Sequence, residues 1–138
     1  MTYLDTSVLI AAVLEDEPQH PACLQAVQSG GCTSHHSLLE AFSILTGGRA
    51  ARKYSPAFAA RLIGVSFEKQ LKSISLTWQE THAMLAETQA RGIRGGAIYD
   101  YQHLVCARKA GATAILTLNV KDFLSFAREG DPQVRSPS

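Results

Sequence analysis

The sequence predicts a three-layer α/β/α sandwich around a central parallel β-sheet. Short apolar segments suited to strands alternate with longer helical segments, no hairpin turn joins two strands, and no internal repeat is found. Strands that alternate with helices are joined by crossover connections, which pair them in parallel. The chain has 138 residues, 46% of them hydrophobic, and this size and composition fit a single domain with a substantial core.

The first half of the chain predicts two strands and three helices. An apolar strand at 2–5 runs into the helix SVLIAAVL, which is apolar on every face and ends at EDEPQ. HPACLQAVQSGG predicts a second helix, with Pro21 near its start and Gly30 and Gly31 at its end. CTSHH predicts the second strand. A third helix at 37–46 follows from the spacing of Leu38, Leu39, Phe42 and Leu45 and ends at Gly47 and Gly48.

The second half continues the alternation. Ser55 and Pro56 begin a helix to about residue 70, the alternating segment LKSISLT predicts a strand, and 78–91 predicts a helix with Trp78, His82 and Leu85 on one side. After the glycine-rich loop GIRGGAIYD, a helix spans about 99–110, and ATAILTLN is an apolar β-branched strand. We expect one domain at 1–128 and a short, frayed C-terminal tail at 129–138.

Composition and charge restrict the possible partners. Thirteen Lys and Arg against twelve Asp and Glu leave the net charge near zero, so a nucleic acid would need a local basic patch. The three cysteines have no CxxC spacing, which is typical of reduced thiols in a cytosolic protein. The N-terminus lacks a basic leader and no run approaches about 20 apolar residues. We expect a soluble, cytoplasmic protein with no membrane contact.

Three carboxylates, those of Asp5, Glu40 and Asp100, lie within structure-forming sequence. Asp5 ends the first strand, and ligands of open parallel sheets bind beyond the carboxyl ends of strands. The alternative role for Asp5 is to cap the following helix, and the two roles are compatible. If the three acids converge, they repel one another unless a cation lies between them.

Helical geometry predicts different surroundings for Glu40 and Asp100. Glu40 points away from the apolar arc of its helix and, taken alone, is an ordinary exposed glutamate. Asp100 shares a helical line with Leu104 and Ala107, which places its carboxylate on an inward face at a positive helix N-terminus. A buried acid there requires a cation or several donors, while helix capping is the competing explanation.

Three motifs, TYLDTSVLIAA, TSHHSLLEAFSILT and GGAIYDYQHLVCARKAGATAILTLNVKDF, together resemble the PIN-domain family, specifically its small bacterial toxins of the VapBC type. The resemblance implies an α/β sandwich and a Mg²⁺- or Mn²⁺-dependent endoribonuclease site, in which Asp5, Glu40 and Asp100 match the first three acidic positions. Asp5 and Asp100 would be metal ligands, and Glu40 a ligand or a positioner of the attacking water. It also implies an antitoxin partner and a homodimer.

The fourth position departs from the family pattern. Many PIN domains have TxD after the last core strand, where this chain has Thr117, Leu118 and Asn119. Asn119 brings no charge, so the site depends on three acids or on Asp122, which could instead cap the helix FLSFAR. Whether one or two ions bind stays open. Thr6 and Ser7 match the small hydroxyl residues after the first acid, with roles in the site or in the first helical turn.

Basic residues near these motifs could hold an RNA backbone. Arg49, Arg52 and Lys53 form the densest basic cluster, beside Tyr54. Arg91 and Arg94 flank the loop before Asp100. The alternative is a solvated loop. Three histidines, His35, His36 and His103, are weighed as an acid or base, but packing or hydrogen bonding is the more ordinary role of such residues.

Two alternatives compete with a ribonuclease toxin. An inactive PIN-like RNA-binding or regulatory module is favoured by Asn119. A haloacid-dehalogenase-like phosphotransfer domain also has Asp after its first strand, but it carries a second acid two residues later, where this chain has Ser7. A dinucleotide-dependent dehydrogenase is excluded because the first strand lacks a GxGxxG turn. The sequence does not identify the RNA that would be cleaved.

Overall fold

The centre of the molecule is a five-stranded, all-parallel sheet with the strand order β3-β2-β1-β4-β5. The structure is a computed structural model that describes residues 1–47 and 53–138. The strands are β1 Thr2–Leu4, β2 Gly31–Ser34, β3 Leu71–Ile74, β4 Ala114–Leu116 and β5 Gln133–Arg135. The predicted parallel sheet is therefore confirmed.

Helices connect the strands and cover both faces of the sheet. They are α1 Thr6–Val13, α2 His20–Gln28, α3 His35–Thr46, α4 Pro56–Phe67, α5 Trp78–Arg91, α6 Ala97–Ala110 and α7 Val120–Leu124. Four of them, α1, α3, α4 and α5, begin at a side-chain cap supplied by Asp5, Ser34, Ser55 and Thr77 respectively. Polar caps in the sequence thus set where these helices begin.

Two hydrophobic cores lie on opposite faces of the sheet, as the three-layer prediction requires. Successive residues of a strand point to opposite faces, so Tyr3 and Leu4 of β1 enter different cores. One core includes Leu104 of α6 and Phe123 of α7, and the other includes Val8 of α1. The central strand is therefore buried from both sides.

The C-terminal tail is not frayed, and that prediction is wrong. Residues 133–135 form β5, which pairs in parallel with β4 in the register Ile115 to Val134. The Thr117 amide donates to the Arg135 carbonyl at 3.1 Å, and Val134 packs against the core. The tail is ordered because its backbone pairs with the edge of β4.

The segment around His35 also differs from its prediction. His35 and His36 do not end a strand; they begin α3, because the Ser34 side chain accepts the Ser37 amide and caps the helix. Leu39, predicted on the apolar arc of this helix, is 71% exposed. The start of α3 brings His36 and Glu40 one helical turn apart on the same side.

The cysteines fit the expectation of packed thiols. Cys23, Cys32 and Cys106 are free and buried, and burial raises the pKa of Cys23 and of Cys106 to about 11. Such thiols are poor nucleophiles at neutral pH. Within the described ranges, no helix combines the length and the apolar character that crossing a membrane requires.

Candidate acidic site

The candidate site lies where the chain order of the strands reverses. From β1 the sheet continues through β2 and β3 on one side and through β4 and β5 on the other. Open α/β sheets bind ligands at this switch point, outside the carboxyl ends of the strands. Asp5 follows β1 there and Thr117 follows β4.

Asp5 is held by hydrogen bonds on both carboxylate oxygens. Its Oδ1 accepts from Ser7 Oγ at 2.6 Å and from the Val8 amide at 3.2 Å. Its Oδ2 accepts from Thr117 Oγ1 at 2.6 Å, and the side chain is buried. Asp5 therefore caps α1 and also faces the switch point, so both roles considered from the sequence coexist.

The hydroxyls that hold Asp5 also hold the loop after β4. The Leu118 amide donates to Ser7 Oγ at 3.0 Å, and the Asn119 amide donates to Thr117 Oγ1 at 2.9 Å. This use of Thr117 was not predicted, although a Thr directly after a buried strand was a readable signal. These bonds fix the Asp5 carboxylate relative to β4.

Glu40 is not an ordinary exposed glutamate, contrary to its interpretation in isolation. Its Oε1 accepts from Thr6 Oγ1 at 2.9 Å and lies 3.2 Å from His36 Nε2 and 3.6 Å from His103 Nε2. The pKa of Glu40 is lowered, first by the His103 imidazole and then by Thr6 and His36, while burial opposes the shift. Glu40 is therefore ionised and oriented at neutral pH.

A buried polar network positions His103 behind Glu40. Its Nδ1 lies 2.7 Å from the Tyr3 hydroxyl and 3.3 Å from Ser37 Oγ. Burial raises the pKa of Tyr3, so the hydroxyl keeps its proton and can donate it to Nδ1. With Nδ1 on the side of Tyr3, the other ring nitrogen, Nε2, faces Glu40 Oε1 at 3.6 Å. His103 thus has the hydrogen-bonding role that the sequence analysis considered more ordinary for a histidine.

Asp100 lies in the first turn of α6 and is half-buried. In the described part of the chain, its carboxylate forms no hydrogen bond or ion pair, and Gly96, not Asp100, caps the helix. The pKa of Asp100 is raised, first by burial and then by the charges of Asp5, Asp122 and Glu40, against an opposing effect of His103. The capping explanation is wrong, and Asp100 carries a negative charge that nearby acids make unfavourable.

The donor set fits a cation held partly through water. Across residues 1–47 and 53–138, no three His, Cys, Asp or Glu side chains converge closely enough to hold a metal ion together. Mg²⁺, however, is commonly held by one or two carboxylates while it keeps several waters. Asp100 has unused oxygens, and the acids of the site are near enough to raise its pKa. Such a set suits a hydrated divalent ion.

Two residues, Asn119 and Asp122, are candidates for the fourth position of the site, and their surroundings differ. Asn119 is the N-cap residue of α7 but makes no side-chain cap, and its side chain is exposed. Asp122 is exposed within α7, so it is not the cap that the sequence analysis allowed. Its charge contributes to the raised pKa of Asp100, which brings Asp122 into the electrostatic neighbourhood of the acids.

The basic residues considered for RNA contact differ in exposure and in ion pairing. Lys53 and Arg94 are exposed, while Arg49 and Arg52 lie outside the described residues. Arg91 forms an ion pair with Asp131 at 2.5 Å, so its charge is already paired within the protein. Lys53 and Arg94 are therefore the candidates in the described ranges for contact with a backbone phosphate.

The family comparison covers nearly the whole chain. The model of the PIN domain matches residues 2–129. A search of curated proteins found no match to the sequence.

Solved toxin structures share the fold. VapC20 of Mycobacterium tuberculosis, described as a sarcin-ricin loop cleaving toxin, superposes with a TM-score of 0.69 at 15% identity, covering 96% of this chain and 100% of that one. A toxin–antitoxin complex from Klebsiella pneumoniae gives 0.65 at 21% identity, over 100% and 98% of the two chains. VapBC-1 from nontypeable Haemophilus influenzae gives 0.67 at 18% identity, over 99% and 98%. At these identities the likeness establishes the fold.

Proposed function

The chain belongs to the PIN-domain family, and from this premise we propose that it is a metal-dependent endoribonuclease acting as the toxin of a toxin–antitoxin pair. The observation that carries the proposal is Asp100, a half-buried carboxylate without a partner in the described residues whose pKa is raised by burial and by neighbouring acids. A divalent cation would relieve that repulsion. Family membership removes the phosphotransfer alternative.

In the proposed mechanism the acids have different tasks. A bound Mg²⁺ or Mn²⁺ would lower the pKa of a water and offset charge on the phosphate during in-line attack. Asp100 and Asp5 would hold the ion, directly or through water, with Asp5 kept rigid by Ser7 and Thr117. Glu40, ionised and oriented by its neighbours, would accept a proton of the attacking water in a hydrogen bond. For the fourth position of the site we propose Asp122, which carries a charge, in preference to the uncharged Asn119.

RNA is the proposed substrate class. The support is the family and the description of one structural neighbour as a sarcin-ricin loop cleaving toxin. Exposed Lys53 and Arg94 supply positive charge that could contact the phosphate backbone, and Arg49 and Arg52 remain sequence-based candidates for the same role. We also propose that the chain acts as a homodimer, which light scattering of the purified protein would test.

A groove between α1, α3 and α4 supports an antitoxin partner. Its volume is about 580 Å³, and its apolar lining is Ile10, Val13, Leu14, Ile44, Phe58 and Leu62. Glu15, Asp16 and Glu17 border one end. The apolar floor and acidic border suit an amphipathic helix with basic residues beside its apolar face. We propose that a segment of this kind, contributed by the antitoxin, docks there.

The direct test is RNA cleavage by the purified chain with Mg²⁺ or Mn²⁺, compared with the same reaction in chelator. Cleavage that requires metal supports the proposal, and equal products with and without chelator contradict it. Expression in bacteria should arrest growth, and co-expression of the neighbouring open reading frame should restore it. Growth arrest that persists in a variant without RNase activity would indicate a different toxic action.

An inactive RNA-binding module is the second candidate, and exposed Asn119 at the fourth position favours it. Metal titration separates the two candidates, because a ligand that binds the folded state stabilises it by mass action. Absence of thermal stabilisation at millimolar Mn²⁺, together with RNA binding but no cleavage, would support the inactive module.

A further inference from the structure

An exposed aromatic ring lies beside the acids and has no role in the proposed chemistry. Tyr99 is 56% exposed, although it lies in the first turn of α6. Its ring packs against the His36 imidazole with centroids 5.4 Å apart and planes 4° apart. This is an offset, parallel stack between a residue of α6 and a residue of α3.

The stack is tied to the acidic site from both helices. Tyr99 directly precedes Asp100 in the chain, so its backbone moves with that of the proposed ligand. His36 Nε2 lies 3.2 Å from Glu40 Oε1, so the imidazole that backs the Tyr99 ring also contacts the second acid. The orientation of the ring is therefore set by the same two helices that carry Asp100 and Glu40.

An acidic site needs an attraction for RNA that does not depend on charge. Three carboxylates repel a phosphodiester in the absence of metal, whereas an aromatic ring can stack on any base. Single-stranded RNA exposes unstacked bases, and proteins bind such bases on aromatic side chains. A preoriented ring at the border of the acids satisfies this requirement.

We propose that Tyr99, backed by His36, is a stacking platform for one unpaired nucleobase of the RNA substrate, next to the phosphodiester to be cleaved. The inference rests on the proposed ribonuclease function and deepens it by assigning a single-stranded substrate. It makes Tyr99 a substrate-positioning residue: the ring holds a base while Asp100 acts nearby. Sequence preference should be weak, because stacking reads the faces of the bases.

The test compares two probes whose backbones carry the same number of charges. One is an eight-nucleotide oligoadenylate, and the other is an abasic ribose-phosphate strand of the same length. Binding is measured by fluorescence anisotropy in an Asp5→Asn background and in chelator, so that cleavage is suppressed during the measurement. Tyr99→Ala should weaken binding of oligoadenylate about 5- to 100-fold and should leave binding of the abasic strand unchanged. Tyr99→Phe should retain the affinity of the parent.

Trp78→Ala is the matched control, since Trp78 is another exposed aromatic residue, 75% exposed, on α5. It should bind both probes like the parent. In the active protein, Tyr99→Ala should raise KM for a single-stranded RNA more than it lowers kcat, with circular dichroism confirming the fold.

Two results would overturn the inference without touching the proposed function. One is metal-dependent cleavage by Tyr99→Ala that equals that of the Trp78→Ala control. The other is loss of antitoxin binding by Tyr99→Ala with unchanged RNA binding, which would assign the platform to a protein partner. If the wild-type chain neither binds nor cleaves RNA, the proposed function itself fails.

Discussion

Asp5 and Asp100 are both assigned to the proposed acidic site, but they are held in opposite ways. Asp5 is buried and accepts hydrogen bonds from two hydroxyls and one amide. Asp100 is half-buried, has no partner for its carboxylate in the described residues, and has a raised pKa. A buried charge that is fully hydrogen-bonded stabilises its surroundings, whereas a desolvated and unpaired one is unfavourable until a cation binds. Asp5 therefore serves the fold as well as the site, and Asp100 serves mainly the site.

The largest expected effect is on cleavage. Asp100→Asn should lower kcat/KM for RNA by about a hundredfold or more, because removing a partner outside the coordination sphere already costs about 10- to 100-fold and a ligand contributes more. Asp5→Asn should lower it similarly. The control is Glu129→Gln, which removes the charge of an exposed carboxylate and should retain activity. Near-normal cleavage by Asp100→Asn would contradict the proposed contrast between Asp5 and Asp100, because Asp100 would then not be a metal ligand.

Metal binding should stabilise the wild type more than it stabilises Asp100→Asn. At a metal concentration about one hundred times Kd, binding to the folded state adds about 2.7 kcal/mol to the free energy of unfolding. The wild type should show this gain as a rise in Tm with Mn²⁺, and Asp100→Asn should lose most of it. The comparison is contradicted if Mn²⁺ raises the Tm of Asp100→Asn as much as that of the wild type.

Without metal, the same two substitutions should affect the fold in different directions. In Asp5→Asn an amide replaces an oxygen that accepts a hydrogen bond, so a buried hydroxyl loses its acceptor at a cost of about 1–3 kcal/mol. Its Tm should fall by about 3–10 °C. Asp100→Asn removes an unfavourable charge and should leave Tm unchanged or higher. Thermal unfolding in chelator measures both, and a lower Tm for Asp100→Asn than for Asp5→Asn would reverse the assignment.

The smallest effects concern pH, and Glu40 provides the contrast with Asp100. The folded-state pKa of Asp100 is raised, so its contribution to stability is present at low pH and is lost as pH rises through that pKa. Asp100→Asn should therefore gain stability relative to wild type as pH rises above about 3.9. The pKa of Glu40 is lowered, so its contribution is present at neutral pH and is lost on acidification.

Glu40→Gln should accordingly be less stable than wild type at neutral pH, and the difference should shrink as pH falls below about 4.3. Urea unfolding of the three proteins in chelator, from pH 3 to pH 8, would measure these trends. Parallel pH profiles for Asp100→Asn and Glu40→Gln would show that the two carboxylates do not differ in environment.

Local sequence patterns predicted the alternating elements well. The cap at Ser55 lies next to the helix it starts, and strand and helix periodicities are likewise properties of neighbouring residues. The positions of Asp5 and Asp100, after a strand and in the first turn of a helix, followed from the same patterns. The family resemblance was confirmed by the match over residues 2–129.

What the sequence by itself determined is the run of elements from β1 to β4, their order and which acids stand at their ends, because those depend on contacts within a few residues. Only the tertiary structure decided what surrounds each acid. The hydroxyl of Thr117 reaches Asp5 across 112 residues, and Tyr3 reaches His103 across 100. The strand formed by the tail likewise depends on the free edge of β4. Such pairings arise when the sheet assembles, so no local pattern encodes which of the two carboxylates, Asp5 or Asp100, gains hydrogen-bond partners.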